Sequence, residues 1–271
     1  MKVIISHDID HLTATEHFGD GIISKQFVRS NIELFSLKIK GSEYFYRLKS
    51  IFENKWNYLD ELMEFDKKNN VCSTFFIGIR NGKGLSYSKE QAAEWVVKIR
   101  SNSFPVHLHS NSKGGDEQRW AEIEEFLQMT GEINIGIRTH YLENIELFLS
   151  QNGKTPKKIL FDSSCFEFKD AYCENGICRF PVHLMDSRIM ENGRKWQSRS
   201  LEQAIKYSEE KINEALENNF SYFVVNFHDR YFSNEHKAWK DWYMWIIEKF
   251  KRDNISFVSF SDAQKEILSA R

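Results

Sequence analysis

Lys2-Val3-Ile4-Ile5-Ser6-His7-Asp8-Ile9-Asp10-His11 is a short apolar run that ends in two aspartates and two histidines. Lys2 to Ile5 reads as a buried strand, and successive side chains on a strand alternate faces, so Asp8 and Asp10 point the same way. Folding gives no reason to gather carboxylates and imidazoles at the end of an apolar strand. Catalysis does, because a metal takes oxygen and nitrogen ligands and a base must sit beside it. The competing reading, a set of polar strand-end caps, loses weight because similar clusters recur down the chain.

Outward from this stretch, strand-like and helix-like runs alternate. Val71 to Ile79, Pro105 to His109, Ile133 to Ile137, Lys158 to Phe161, Gly176 to Val182, Ser221 to Phe227 and Ile255 to Phe260 carry the branched and aromatic residues of strands. Helical periodicity covers Trp56 to Lys68, Ser88 to Arg100, Asp116 to Met129, Leu142 to Gln151, Leu201 to Asn218 and Glu235 to Arg252. The last holds Trp239, Trp242, Tyr243, Trp245, Ile246, Ile247 and Phe250, a stripe read as core packing rather than a binding face. Such alternation implies parallel strands with crossover helices. No glycine-rich phosphate loop follows a strand, which removes support for an open dinucleotide-binding sheet.

The polar residues select the architecture. Asp8 and Asp10, His109, Arg138 and His140, Asp162, Asp186, and His228 and Asp229 each stand where a strand run ends. Polar groups on successive carboxyl ends describe a barrel whose loops build one site. The expectation is an α/β fold, a (β/α) barrel of about seven parallel strands and distorted TIM-like form, as one domain over residues 1–271. An inserted helical segment spans about residues 16–54, with Arg29 to Ile39 and Glu43 to Phe52 as its periodic parts. It is longer than a usual βα connection and serves either as a lid or substrate wall or as an ornament on the barrel side.

Composition excludes several classes. With 22 Phe and 7 Trp a large core is available, and three prolines leave no linker to divide it. A net charge of −2 with both signs interspersed gives no argument for nucleic acid or an anionic membrane. No apolar run approaches the roughly 20 residues that span a bilayer, and no signal peptide precedes the first strand, so a cytoplasmic location is expected. Cys72 reads as a small buried hydrophobe. Cys173 and Cys178 are close enough to pair, but reduced thiols are expected in a cytosolic loop.

Taken together the strand ends resemble the polysaccharide deacetylase (NodB-homology) superfamily of metal-dependent carbohydrate deacetylases. Ser6-His7-Asp8-Ile9-Asp10 looks like its first motif, Ser73-Thr74-Phe75-Phe76 like its second-strand signature, and His107-Leu108-His109-Ser110 like its second motif. Gly136-Ile137-Arg138-Thr139-His140-Tyr141 is similar to the third, Phe161-Asp162-Ser163-Ser164 to the fourth and Asn226-Phe227-His228-Asp229 to the fifth. Each motif is weak alone; five in order on strand ends are strong together.

The resemblance implies Asp8 as catalytic base, Arg138 as the group that steadies it, Asp10 and His109 as metal ligands and His228 as general acid. Asp162 or Asp186 would set the tautomer of His228, although Asp162-Ser163-Ser164 reads equally well as a helix N-cap. Two departures stand out. The second histidine of the family's second motif is missing after His109, where Lys113 stands at the usual spacing, and His140 replaces the proline of Arg-x-Pro-Tyr. His140 is therefore the expected third ligand, giving Asp10, His109 and His140 with a fourth position open to water. His107 is the rival, one layer deeper and better suited to packing. His17, His183 and His236 read as surface or loop histidines.

On this reading zinc is the default cofactor, with manganese, cobalt, nickel or iron also compatible. The metal would acidify its water, Asp8 would take the proton, and His228 would protonate the departing amine. The implied substrate is a small molecule or oligosaccharide bearing an N-acetyl group, a nucleotide sugar or a surface-polysaccharide precursor among them. Hydrolysis of another small amide or a formyl group, or a non-catalytic sugar-binding homologue, are the alternatives. Tyr141, Tyr172, Phe180 and Trp196 are the aromatics open to stacking on a sugar.

Overall fold

The computed structural model describes residues 1–82, 84–111, 115–145, 148–149, 158–174 and 176–270. Its centre is one sheet of nine strands in the order β6-β7-β5-β4-β3-β2-β1-β9-β8. These are β1 (Lys2–Ile9), β2 (Thr74–Ile77), β3 (Val106–Ser110), β4 (Ile135–Thr139), β5 (Ile159–Asp162), β6 (Tyr172–Glu174), β7 (Ile177–Arg179), β8 (Leu184–Met185) and β9 (Tyr222–Asn226). All neighbours are parallel except the β6–β7 hairpin. The expected seven strands become eight parallel ones plus an antiparallel edge, because the run read as Gly176 to Val182 lies between two further short strands. Ile255 to Phe260, expected as a strand, touches the sheet only through a Val3–Phe257 bridge.

The sheet curls into a half-barrel. Along a flat sheet β4 and β1 would stand about 14 Å apart, yet Arg138 on β4 reaches Asp8 on β1 at 2.8 Å and Asn226 on β9 at 2.7 Å. Curling separates two cores, as strand alternation requires. Ile4, Phe76, Phe161, Phe180, Val182 and Val224 fill the interior. Val3, Ile5, Phe75, Ile77, Leu108 and Ile137 face outward beneath the helices. Gly136 is a place where only glycine fits, since a Cβ there would lie 2.0 Å from the Phe161 ring.

Among the described residues the α-helices with defined bounds are α1 (Ile22–Phe35), α2 (Gly41–Phe52), α3 (Leu59–Lys68), α4 (Lys89–Ser101), α5 (Asp116–Thr130), α6 (Asp186–Glu191), α7 (Leu201–Glu217), α8 (Lys237–Arg252) and α9 (Phe260–Ser269). Ser88, Ser200 and Ser259 start α4, α7 and α9 as N-caps, each accepting the N–H three residues on. The α8 stripe from Trp239 to Phe250 is buried as expected except at Trp245, which is half-buried. Beneath α9, Phe260 stacks on Phe161 at 4.6 Å, while Glu266 takes Lys2 and the Tyr222 hydroxyl. The helix thereby stoppers the amino end of the half-barrel and leaves the carboxyl end open. Of the helix expected over Leu142 to Gln151, residues 146–147 and 150–151 lie outside the described residues, and His140–Leu142 forms a 3-10 turn.

Three side-chain expectations are corrected. Cys72 is exposed, because the strand it was assigned to begins only at Thr74. Cys173 and Cys178 form a disulfide: they are cross-strand partners in the β6–β7 hairpin, which brings them together without any framework spacing. His17, His183 and His236 are all buried and each has a polar partner, although His236 Nε2 is left without one. His17 links His11 to Asp20, His183 lies between Lys169 O and Val224 N, and His236 faces Arg47. No helix among the described residues is long and apolar enough to cross a membrane.

Candidate active site at the carboxyl end

The parallel register carries the ends of β1, β3, β4 and β9 to one rim. There a cavity of about 430 Å³ opens, with Asp8, Asp10, His109, His140 and His228 in its lining. His7, in the middle of the opening stretch, points the other way as alternation demands. Its ring is held between Phe227 O and Asp66, which Tyr243 and Ser73 also bind, beneath the helices.

Three lone-pair atoms converge on the cavity floor. Asp10 Oδ1 lies 3.3 Å from His109 Nε2 and 3.4 Å from His140 Nδ1, and the two ring nitrogens are 3.1 Å apart. Metal–nitrogen bonds of about 2.0–2.1 Å in a tetrahedron place ligand atoms about 3.3 Å from one another. The triangle matches that spacing before any ion is considered. Asp10 Oδ1 is also buried with no hydrogen-bond partner, an arrangement that disfavours an empty polar pocket. Burial opposes charge on Asp10, but His140 and His109 outweigh it and hold the carboxyl well below its usual range. This cluster could hold a divalent metal. The loop before α4 presses on it: Gly84, at φ +88°, leaves only 3.3 Å from a would-be Cβ to His140 Nε2.

His107 sits deeper. Its Nδ1 accepts the Gly136 N–H and its ring lies edge-on to Phe161, so it packs the interior away from the triangle. Burial, with Arg100 adding, lowers its pKa to about 3. Lys113 lies outside the described residues.

Beside the triangle, Asp8 accepts from Arg138 Nη1 and from Asn226 Nδ2, both at 2.8 Å. Arg138 is fully buried, rests 4.2 Å above the Phe76 ring, and also donates to Ser6, Ser163 O and the Ser163 hydroxyl. Burial alone would raise the Asp8 pKa; the Arg138 charge reverses that and lowers it. Opposite, His228 Nδ1 is 2.8 Å from Asp186 Oδ1, and its backbone N–H donates to Asp186 Oδ2. Burial disfavours the imidazolium, but Asp186 prevails, with Asp10 and Asp8 adding, and the pKa rises well above the ordinary value. The Asp186 contact leaves Nε2 directed at the floor, 3.6 Å from Asp10 Oδ2.

Asp162 is not brought to this group. Its carboxylate pairs with Arg179 at 2.6 Å and accepts the Ser164 N–H in the loop after β5, where no helix follows, so it is not a helix N-cap either. Of the four aromatics, Tyr141 lines the cavity and Phe180 is buried in the interior core; Tyr172 and Trp196 are not among the lining residues. The inserted segment supplies a wall, since Lys25, Gln26 and Arg29 of α1 face the cavity. A wall was one of the two readings of this segment; the lining residues Lys25, Gln26, Arg29, Arg188, Lys195 and Arg230 were not singled out. Nothing local marks these residues, because a lone cation on a helix or loop reads as a solvated one.

No family model matches the sequence, and no curated protein matches it. Solved structures do. A probable polysaccharide deacetylase from Pseudomonas aeruginosa PAO1 superposes with a TM-score of 0.59 at 12% identity, covering 97% of this chain and 89% of that one. Puue allantoinase gives a TM-score of 0.60 at 12% identity, covering 97% and 88%. At such identity the likeness establishes the fold: a curled, mostly parallel sheet shared with a deacetylase and an allantoinase.

Proposed function

We propose that this chain is a single-domain, metal-dependent hydrolase that removes an acetyl or other acyl group from an N-acetylated sugar. The observation that carries the reading is the three-atom triangle of Asp10, His109 and His140, flanked on one side by the Asp8–Arg138 pair and on the other by the His228–Asp186 pair. The two solved folds have nearly equal likeness and do not choose between substrates. The order of motif residues along the strand ends favours the deacetylase. A nucleotide sugar or a surface-polysaccharide precursor, handled in the cytoplasm, is the substrate context in keeping with that resemblance.

Asp10, His109 and His140 would hold the ion, zinc by donor type, which when bound acidifies a water molecule and polarises a carbonyl oxygen. Asp8 is ionised and fixed by Arg138 and Asn226, so it is ready to take the proton of an attacking water without turning away. His228 donates its Nδ1–H to Asp186, whose charge favours the imidazolium, so Nε2 carries a proton as well. A departing amine leaves poorly until protonated, and this Nε2 is the group aimed at it. A decayed, merely sugar-binding site would have no use for base and acid each locked by a buried partner.

Metal analysis and acetate release test this together. Asp8→Asn and His228→Ala should each keep the metal while losing roughly 10²–10⁴-fold in turnover. His140→Ala should lose metal, whereas His107→Ala should keep it. Full metal occupancy in His140→Ala, or metal loss in His228→Ala, would show the roles to be wrongly assigned. Release of a different acid from another amide would redirect the substrate class.

A further inference from the structure

The cavity is more basic than a protein of net charge −2 leads one to expect. Five cationic side chains line it: Lys25 and Arg29 from α1, Arg188 from α6, Lys195 just beyond, and Arg230 after β9. Three carboxylates line it too, and each is engaged. Asp8 is bound by Arg138, Asp10 faces the two histidines, and Glu191 pairs with Arg29 at 2.9 Å. That last contact ties the α1 wall to the α6 wall, so the remaining cations share one rim. Among the described residues Lys25, Arg188, Lys195 and Arg230 make no ion pair.

Arg230 is the most deeply buried of these four. It is only 7% exposed, lies 3.8 Å above the Trp56 ring, and leaves Nε and Nη2 without partners. Glu235, the acid whose field reaches it, gives its oxygens instead to the Tyr58 and Ser50 hydroxyls. Arg29 Nη2 is likewise buried and unpartnered. A guanidinium withdrawn from water without a counter-ion is costly, and a chain that keeps one beside a cavity has a use for it. Guanidinium groups match phosphate oxygens two at a time, and the lysines add point charge. A carboxylate carries one negative charge and would leave most of the rim uncompensated; a phosphate monoester or a diphosphate carries about two.

We propose that the substrate is a phosphorylated acylamino sugar whose phosphate or diphosphate is held at this rim by Arg230, Lys25, Arg188 and Lys195 while its acyl group meets the floor. This rests on the deacylase reading above and adds to it the charge of the substrate. The test is calorimetric titration of the metal-loaded protein with N-acetylglucosamine, its 1-phosphate and inorganic pyrophosphate. The phosphorylated sugar should bind at least about tenfold more tightly than the free sugar. Pyrophosphate alone should bind as well, and both should weaken as salt rises from about 0.05 to 0.5 M.

Lys25→Gln/Arg188→Gln/Lys195→Gln should erase the phosphate preference, and Arg230→Gln should reduce it; all four positions are outside the metal triangle. His140→Ala should retain it, because the wall and not the ion holds the anion. Equal binding of the two sugars, no binding of pyrophosphate, a preference untouched by the triple variant, or a preference lost in His140→Ala would each overturn the proposal. A preserved preference without acetate release supports the anion subsite and counts against the deacetylase reading alone.

Discussion

Helices α1 and α8 are both amphipathic, and they bury opposite kinds of residue. On α8 the buried face is Trp239, Trp242, Tyr243, Ile246, Ile247 and Phe250. On α1 it is Gln26, Ser30 and Glu33, and on its neighbour α2 it is Glu43, Arg47 and Ser50. The inserted pair turns its apolar side outward: nine of the fifteen large exposed hydrophobics among the described residues fall between Phe18 and Phe52. An ion-pair cluster inside this pair carries the polar contacts that fix it to the half-barrel. Glu33, fully buried, takes Arg29, Arg47 and the Gln197 N–H, while Arg47 also donates to Glu235 O. A 3.6-residue period thus states that a helix has two faces, and only the surroundings state which one is inside.

The largest expected effects test this inversion directly. Glu33→Ala would leave Arg29 and Arg47 buried with their shared carboxylate gone, a change that typically costs about 3–5 kcal/mol. Phe161→Ala, in the interior core, should cost a similar 3–5 kcal/mol through cavity formation. Denaturant midpoints would measure both. An inserted segment held by apolar contacts instead would show a loss under about 1 kcal/mol for Glu33→Ala.

An intermediate effect separates the barrel's own polar groups from that ion-pair cluster. His107 and His183 each receive a backbone N–H at Nδ1, from Gly136 and Val224. A protonated Nδ1 cannot accept, so the folded state needs both rings neutral. Burial lowers their pKa values to about 3 and about 4 from an unfolded value near 6.5. Between pH 6.5 and 4 the unfolded chain therefore binds up to about two more protons than the folded one from these rings. Their contribution is complete above pH 6.5 and declines as pH falls through that window. Urea titrations across it should show the decline, and His183→Gln should flatten part of it. An unchanged slope in that variant would remove His183 from the account.

Much of the half-barrel was legible because its signal is local. Strand runs ended at Asp10, His109, His140 and His228, and parallel topology alone brings such ends together. His140 was found from the missing histidine after His109. Other features depended on contacts distant in sequence. Asp162 and Asp186 were both candidates for His228, and only the fold chose: Asp186, 42 residues before it, makes the contact, and Asp162 was diverted by Arg179 across the β5–β7 pair. Cys173 and Cys178 were read as loop thiols because nothing nearby announced the hairpin that pairs them. The polar faces of α1 and α2 gave no cue either, since Glu33 becomes a core residue only when Arg29, Arg47 and Gln197 close around it.

The smallest expected effect is the most informative about the outward face. Phe35 and Phe52 are 81% and 89% exposed, and burying a phenyl ring is where its stabilisation arises. With so little area withdrawn from water, Phe35→Ser and Phe52→Ser should each shift stability by no more than about 0.5 kcal/mol. Surface serine near the end of a helix has no special conformational cost beyond its modest propensity difference. Chemical denaturation of the two variants at low and at high protein concentration would measure this. A loss above about 1 kcal/mol that grows with concentration would mean the face is covered by a second copy in solution. The inverted burial of α1 and α2 would then belong to an assembly, and the contrast with α8 would reduce to a difference in which apolar surface each helix meets.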